Sequence, residues 1–480
     1  MKQRILAVVI AMIGVAVLSL IGYTILSSVH VSDDHDLMPI DNAEQIYSDA
    51  VSKTDLATDH ILKISLTREM TVDDSVFLEV IDQTVHYDMQ STGDLKILLQ
   101  ESLTTGTHTV STAEIYVDGI VYQTVNGSFF VCPYSEFQYT EALIPPIILT
   151  PQFYKNLNGI DNGSSYSLNF SEALDTEAWL SSEPVTLHEA RGVATVSYDG
   201  ALESSMYTAQ YNRNGIEFRM TVHVAIEQID VDIDPPADTS MYVPISYLQG
   251  PKALERACGF LIQADSISSA YTDNIYFQAI GDQRTQKITL HAYKDTEWSM
   301  RMDTEVNLKN DTKQDQEIKH TKSELFLNNQ YTLSSDNSEP STNTGISVDT
   351  MYNYFQNQLV STVMLPQYIS SVVLEERETV LHISFTGTEA FGDFLAQNAC
   401  QLLYNNPNLI SDTGANLTSE SLQCYLELDK FSGLPIASGI HYSGNYKAEG
   451  IPYQLQYSAE QVYIIPSTAA QSEIEKSAGK

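Results

Sequence analysis

The chain has 480 residues, 43% of them hydrophobic, which is enough for about two or three domains with ordinary cores. Against 25 Lys+Arg stand 62 Asp+Glu, a formal net charge of −37 that repels nucleic-acid phosphates and excludes nucleic acid as a partner. Charged residues make up only 18% of the chain, so the acidity is not that of a disordered tail.

Lys2 and Arg4 precede an uncharged apolar run, Ile5 to Leu26. At about 1.5 Å per residue this run reaches roughly 33 Å, enough to cross a bilayer core. It exceeds the apolar core of about 7–15 residues usual for a cleaved signal. Ser27-Ser28-Val29-His30 is a poor cleavage site, and no Cys follows for a lipid anchor. The expectation for residues 1–28 is a transmembrane anchor, with a cleaved signal as the alternative. The basic end stays in the cytoplasm, so the membrane is a partner and the bulk of the chain is extracytoplasmic under either reading. Residues 29–40 are a polar spacer.

Asp41 with Glu44 makes a capping-box pattern, and Ile46, Tyr47, Ala50 and Val51 give a helix one apolar face. From Ile61 the period becomes two: Leu62, Ile64 and Leu66 alternate with polar neighbours, as do Ala113, Ile115 and Val117 before an Asp118-Gly119 hairpin signal. Strand follows strand without helical crossovers, which predicts an antiparallel sheet with one wet face. Thr140 to Asn158, with Pro145-Pro146 and Pro151, reads as short helices or a covering loop. Ser171 can cap a short helix ending near Leu180. Strands then resume, and His223 falls on the wet face of one of them. Residues 233–250 are a linker, in which Pro235-Pro236 and Pro244 should stop sheet pairing.

The pattern restarts at Pro251, with Leu254, Ala257, Cys258, Leu261 and Ile262 on a helical face. Glu324-Leu325-Phe326-Leu327-Asn328-Asn329 echoes Glu114-Ile115-Tyr116-Val117-Asp118-Gly119. Ser334 to Gly345 reads as a polar loop, Asp349 and Thr388 as helix caps, and the chain beyond Pro466 as a tail that frays. Three further matches share one displacement of 215 positions: Pro151 with Pro366, Phe170 with Phe385, and Trp179 with Phe394. A common displacement over thirty residues marks a duplication. The domains read from it are 41–232 and 251–466, followed by a polar tail, 467–480.

The expected fold is α+β: two tandem curved antiparallel sheets, each a half-open barrel covered by helices, after one N-terminal transmembrane helix. Helix first, then a meander, then helices inserted before the last strands resembles the periplasmic lipoprotein carriers of the LolA type. It also resembles the mycobacterial lipid-binding lipoproteins and the stress-sensing regulator RseB. The closing run Leu428-Asp429-Lys430-Phe431-Ser432-Gly433-Leu434-Pro435 resembles Gram-positive members of that group. The resemblance implies a concave face that holds acyl chains, or a peptide from a partner. It carries over no contact residue.

No chemistry stands out. GxSxG, GxGxxG and HExxH are absent, and the scattered histidines form no metal spacing. Asp230, Asp232 and Asp234 mimic a calcium strip, but an EF-hand-type loop needs Gly and Glu where this chain has Pro235 and Met241. Cys132, Cys258, Cys400 and Cys424 read as buried thiols, with a Cys400–Cys424 bridge as the alternative. The chain is therefore read as a non-enzyme without catalytic, cofactor or metal residues. Its candidate apolar cavity or core consists of Phe153, Phe170, Trp179, Tyr368, Phe385 and Phe394. The expected partner is a lipid or other hydrophobic ligand; the alternative is an envelope protein bound by an interaction or sensing module.

Overall fold

The computed structural model describes residues 38–55, 59–89, 95–142, 154–155, 157–170, 172–173, 185–227, 229, 232–278, 280–311, 317–336, 338–409, 416–448 and 451–477. The predicted membrane segment, Phe153 and Trp179 lie outside them. Among the described residues no helix is long and apolar enough to cross a membrane.

The first unit begins with β1 (Met38–Ile40) and α1 (Ala43–Asp55). Ala43, Tyr47, Ala50 and Val51 recur at helical spacing, and all four are buried. A meander follows: β2 (Asp59–Val72), β3 (Ser75–Met89), β4 (Leu95–Thr105), β5 (His108–Val117), β6 (Ile120–Val125) and β7 (Ser128–Pro133). Asp118 and Gly119 turn between β5 and β6 with φ of +51° and +79°, the left-handed pair that matches the twist of a two-residue hairpin. After α2 (Glu136–Ala142) come β8 (Tyr154–Lys155), β9 (Asn158–Asp161), β10 (Ser165–Phe170) and β11 (Glu172–Ala173). Then follow β12 (Thr186–Ser197), β13 (Leu202–Arg213) and β14 (Ile216–Glu227). Glu172–Ala173 pairs with β8 instead of joining the short helix expected after Ser171; the rest of that expected helix lies outside the described residues.

The second unit repeats the plan: α3 (Gly250–Gln263), β16 (Ser266–Phe277), β17 (Asp282–Lys294), β18 (Trp298–Asn310), β19 (Ile318–Leu327), β20 (Gln330–Ser335), β21 (Ser341–Asn343), α4 (Val348–Leu359), β22 (Ile369–Glu376), β23 (Val380–Gly387), α5 (Glu389–Tyr404), β24 (Asn416–Asp429), β25 (Pro435–Ala448) and β26 (Ile451–Ile464). Between the units lies β15 (Val243–Pro244).

One sheet has 13 strands and the other 11. Without its two edge additions β1 and β15, the first runs β9-β10-β12-β13-β14-β2-β3-β4-β5-β6-β7. The second runs β22-β23-β24-β25-β26-β16-β17-β18-β19-β20-β21, the same topology strand for strand. In each unit the last strand returns to pair with the first, β14 with β2 and β26 with β16, so the meander occupies one half of the sheet and the returning strands the other.

Several expectations change. The linker does not stop sheet pairing: Val243–Pro244 joins β7 in parallel. Pro244 lacks an N–H, but as an outer strand it needs none, and the next residue, Ile245, donates to Val131 O at 2.9 Å. The predicted loop after Ser334 contains β21, which pairs with β20. The expected fraying tail is a helix, α6 (Ala470–Ser477), because Ala470 and Ile474 at i and i+4 bury against the second sheet. Ser347, rather than Asp349, caps α4 by accepting from Thr350 N, and Thr388 stands at the start of α5 without a side-chain cap bond.

Candidate functional site

Strand alternation puts one face of each sheet toward the helices. In unit one that inward face carries Phe77, Glu79, Ile81 and Gln83 on β3, Leu99, Glu101, Leu103 and Thr105 on β4, and Val110, Thr112 and Glu114 on β5. Apolar residues are thus interrupted by a strip of acids and amides. Left bare in a core, such groups would cost several kcal/mol each.

Unit two supplies their partners. Its first helix, α3, lies across β4 and β5 of unit one as well as on its own sheet. Arg256 donates to Glu79 through Nε at 2.5 Å and Nη2 at 3.0 Å, and Arg68 of β2 donates to the same carboxylate from Nε at 3.0 Å. Burial pushes the Glu79 carboxyl up, but the guanidiniums of Arg256 and Arg68 outweigh it and hold it down to about 2. Lys252 Nζ sits 3.1 Å from Glu101 and 3.2 Å from Glu114. Burial works against its charge, yet the two carboxylates raise its pKa above the ordinary lysine value. Glu114 also accepts from Gln123 at 2.9 Å and from Tyr139 Oη of α2 at 3.0 Å. His108 and Glu255 approach to 2.8 Å. Gly259 permits the contact, because a Cβ there would stand 2.7 Å from Cβ of Thr105. Phe260 meets Phe77 edge-on at 5.9 Å, with Arg256 over its ring. The seam between the units is therefore a packed, ion-paired interface.

Unit two carries the same motif on its own sheet. Glu324 occupies the place of Glu114 and accepts from Tyr331 at 2.5 Å and Tyr354 at 3.3 Å. Tyr139 and Tyr354 stand 215 positions apart, the displacement of the other repeats. Lys322, from the same strand, pairs with Glu324 at 2.9 Å, where Lys252 reaches Glu114 from another element in unit one. Register then assigns further counterparts: Thr304 to Glu101, Val306 to Leu103, Leu308 to Thr105, His320 to Val110 and Ile318 to His108.

Among the described residues no helix covers that patch. Leu103, Thr105 and Val110 are buried, whereas Val306 and Leu308 are only half-buried, His320 is exposed and Ile318 is 50% exposed. A groove of about 360 Å³ opens there, lined by Thr304, Val306, His320, Lys322 and Leu333 among others. Two other clefts, of about 520 and 480 Å³, lie against the outward polar faces, beside Lys287, Asp303 and Glu305 in unit two and Asp82, Gln100 and Ser102 in unit one.

Of the residues singled out from the sequence, the four that are described line none of these clefts. Phe170 and Phe385 lie on the equivalent strands β10 and β23, both buried. Phe170 fills the space beside Gly192, where a Cβ would stand 2.3 Å from the ring, and stacks on Tyr207 at 6.0 Å. Tyr368 is half-buried and stacks on Phe391 at 4.7 Å. Phe394, expected in a core or cavity, is 52% exposed on α5, where its ring stacks with Phe391 and Tyr368 at 6.1 and 6.5 Å. The seam residues Lys252, Arg256, Glu79, Glu101 and Glu114 were missed. Their signal was present: alternation places Glu79 between the inward Phe77 and Ile81, and Glu114 between the inward Thr112 and Tyr116.

All four cysteines are free, so the alternative Cys400–Cys424 bridge is absent. Burial raises their thiols, Cys132 and Cys400 to about 11 and Cys258 and Cys424 to about 12, which leaves them protonated and poor nucleophiles at neutral pH. Among the described residues no group of three or more His, Cys, Asp or Glu is placed to hold a metal ion.

The fold and the patch together define a two-unit antiparallel-sheet protein with one closed and one open inward face. No family model matches the chain, and no curated protein does. Among solved structures it is similar to LprF from Mycobacterium bovis, at 12% identity and a TM-score of 0.26, over 41% of this chain and 97% of that one. It is also similar to a putative AttH from Nitrosomonas europaea, at 7% identity and a TM-score of 0.12, over 84% and 92% of the two chains. A third is OccK2 from Pseudomonas aeruginosa, at 6% identity and a TM-score of 0.09, over 86% and 98%. At scores this low none of the three carries a functional assignment to this chain.

Proposed function

We propose that the chain is a membrane-anchored extracytoplasmic binding protein without catalytic chemistry. Its ligand is hydrophobic, a lipid or the apolar face of another molecule, and it lies on the open inward face of β18–β20. One observation carries this reading. The same face is closed by α3 in unit one, whereas in unit two Ile318 is exposed and Val306, Leu308 and Leu333 are only half-buried. Partly exposed apolar residues grouped in a groove are what a binding surface needs. Lys322 and His320 at its edge suit a ligand with an acidic group. The anchoring rests on Lys2, Arg4 and the apolar run Ile5 to Leu26.

The alternative to a lipid, an envelope protein partner, is favoured by one specific observation: in unit one the equivalent seat is occupied by a protein helix. Native mass spectrometry of the detergent-purified full chain tests the proposal. A bound hydrophobic molecule or protein should be released by Val306→Asp or Ile318→Asp and retained in Val373→Asp, which alters an exposed residue elsewhere on the second sheet. Equal retention in all three variants would sink it.

A further inference from the structure

On unit one a single continuous segment, residues 243–263, fills two places at once. Its strand β15 lies along the outer edge of β7, and its helix α3 lies on the inward face of β4 and β5. Both counterparts stand open on unit two. We propose that they form one docking site for another protein, whose occupying segment is an extended strand followed within a few residues by an amphipathic helix. The inference rests on the open-face reading above, adds the sheet edge to it, and names the occupant.

The edge is independent of the face. β21 ends the second sheet, and among the described residues its one strand partner is β20. Register makes Ser341 and Thr342 the counterparts of Phe130 and Val131. Phe130 is buried, with Val243 beside it in parallel, and Val131 O accepts from Ile245. Ser341, Thr342 and Asn343 are all exposed. An outer strand without a neighbour offers unpaired N–H and C=O groups, and an added strand satisfies them. Alternation turns those of Thr342 to the open side, as it turns those of Val131 toward β15.

The face sets the chemistry of the helix. Where unit one has Glu79, Glu101 and His108, unit two has Arg284, Thr304 and Ile318. The charges present are already answered: Arg284 holds Asp273 at 2.7 Å, and Lys322 holds Glu324 at 2.9 Å. This seat therefore asks for no cation. Lys252 and Arg256 of another α3 would meet Lys322 and Arg284 instead of Glu101 and Glu79, so the helix that fills the internal seam is excluded here. What fits is a helix whose docking face is apolar and free of Lys and Arg, laid against Val306, Leu308 and Ile318. Leu308 is longer than Thr105. The visiting helix therefore stands farther from the sheet than α3 does at Gly259, with its own apolar side chains filling the gap.

Strand and helix should also arrive at a set spacing. Pro244 lies opposite Val131, and Glu255, which meets His108 at 2.8 Å, stands 11 positions later. A partner segment of the same form reaches Thr342 about 11 residues before it reaches Ile318.

The test is photo-cross-linking of the full chain in the cells that make it, with benzoylphenylalanine placed at Thr342 or at Ile318. Both probes should capture one polypeptide. Mass spectrometry of the joined peptides should put the Thr342 adduct N-terminal to the Ile318 adduct, about 11 residues away. The same probe at Val373, exposed on β22, should not capture that polypeptide. Each half of the site should also depend on the other. Val306→Asp should lower capture from Thr342 at least about tenfold, and Thr342→Pro, which removes an N–H from the open edge, should do the same to capture from Ile318. Unchanged thermal midpoints show that the variants fold. Different polypeptides at the two probes, adducts in the reverse order, captures that ignore the distant substitution, or no protein captured by either probe would each overturn the proposal. The two readings fail separately. If native mass spectrometry shows a hydrophobic molecule lost on Val306→Asp while neither probe captures protein, the open face stands and its occupant is not a strand and helix. If neither experiment responds, both readings fall.

Discussion

Two inward faces of one topology have opposite fates in this molecule. On β3–β5 acids stand among apolar residues, and the face is buried beneath Lys252 and Arg256 of α3. On β18 the corresponding positions hold Thr304, Val306 and Leu308, and no helix among the described residues covers them. The polar version is closed and the more apolar version is open, the reverse of a simple hydrophobic rule. Charge explains it. Glu79 has Arg68 of its own unit, but its second guanidinium, Arg256, and the Lys252 ammonium between Glu101 and Glu114 come from the helix of the other unit, so the acids favour what docks. The open patch needs no such partner to fold, since Lys322 already answers Glu324. The comparison also shows why the units do not move independently, as a plain linker would allow: the seam buries charge on both sides.

The comparison can be broken by placing one substitution on both faces. Leu103→Asp puts an unpaired charge into the closed face and should cost roughly 5 kcal/mol. Its counterpart Val306→Asp, at the rim of an open groove, should cost less than about 1 kcal/mol. Urea unfolding of the two variants measures the difference, and similar values would mean that both faces are equally covered.

Next in size is the ion cluster. Glu79→Ala leaves Arg68 and Arg256 facing each other without their shared carboxylate, and should cost about 3–5 kcal/mol. Adding Arg256→Met should recover part of that loss in a double-mutant cycle; strict additivity would show that the pair is not coupled. Slightly smaller is the acid effect. The folded pKa of Glu79 lies near 2, below its unfolded value of 4.5, so its contribution is complete above about pH 4.5 and disappears as pH falls toward 2. The loss is about 3 kcal/mol, at about 1.4 kcal/mol per pH unit. Denaturation followed between pH 5 and 2 should show that loss in the wild type and lack it in Glu79→Ala.

The smallest expected effect sharpens the repeat itself. Phe385→Ala removes a buried ring and should cost about 3 kcal/mol, whereas Phe394→Ala removes an exposed one and should cost less than about 1 kcal/mol. Equal losses would contradict the outward placement of Phe394.

Much of the fold was legible in local patterns. The change of period from 3.6 to 2 after α1, the Asp118-Gly119 turn and the echo of Glu114–Gly119 in Glu324–Asn329 all became elements of the expected type. Phe170 and Phe385 lie on corresponding strands, as their shared displacement required. Phe394 shows the limit of that reasoning. Its displacement from Trp179 located a helix, but not which side of the helix faces the sheet, and Phe391 and Leu395 took the inward positions. Ala470 and Ile474 show another limit: two apolar residues in a polar tail are a weak signal until a sheet is present for them to cover. The candidate site was less legible still, because the aromatic repeats drew attention to the core whereas the open patch is defined by what fails to lie over it.

The amino-acid sequence alone determined the α+β class, the presence of two antiparallel-sheet units, most of their main strands and the overall acidity, since each depends on residues close in the chain or on simple counts. The tertiary structure alone decided that the last strand of each unit returns beside the first, that α3 crosses to the other unit, and that one inward face is closed while its counterpart stays open. Those outcomes depend on contacts between residues more than a hundred positions apart, such as Lys252 with Glu101 and Arg256 with Glu79. Whether such a pair forms depends on the geometry of everything between them, which no local periodicity records.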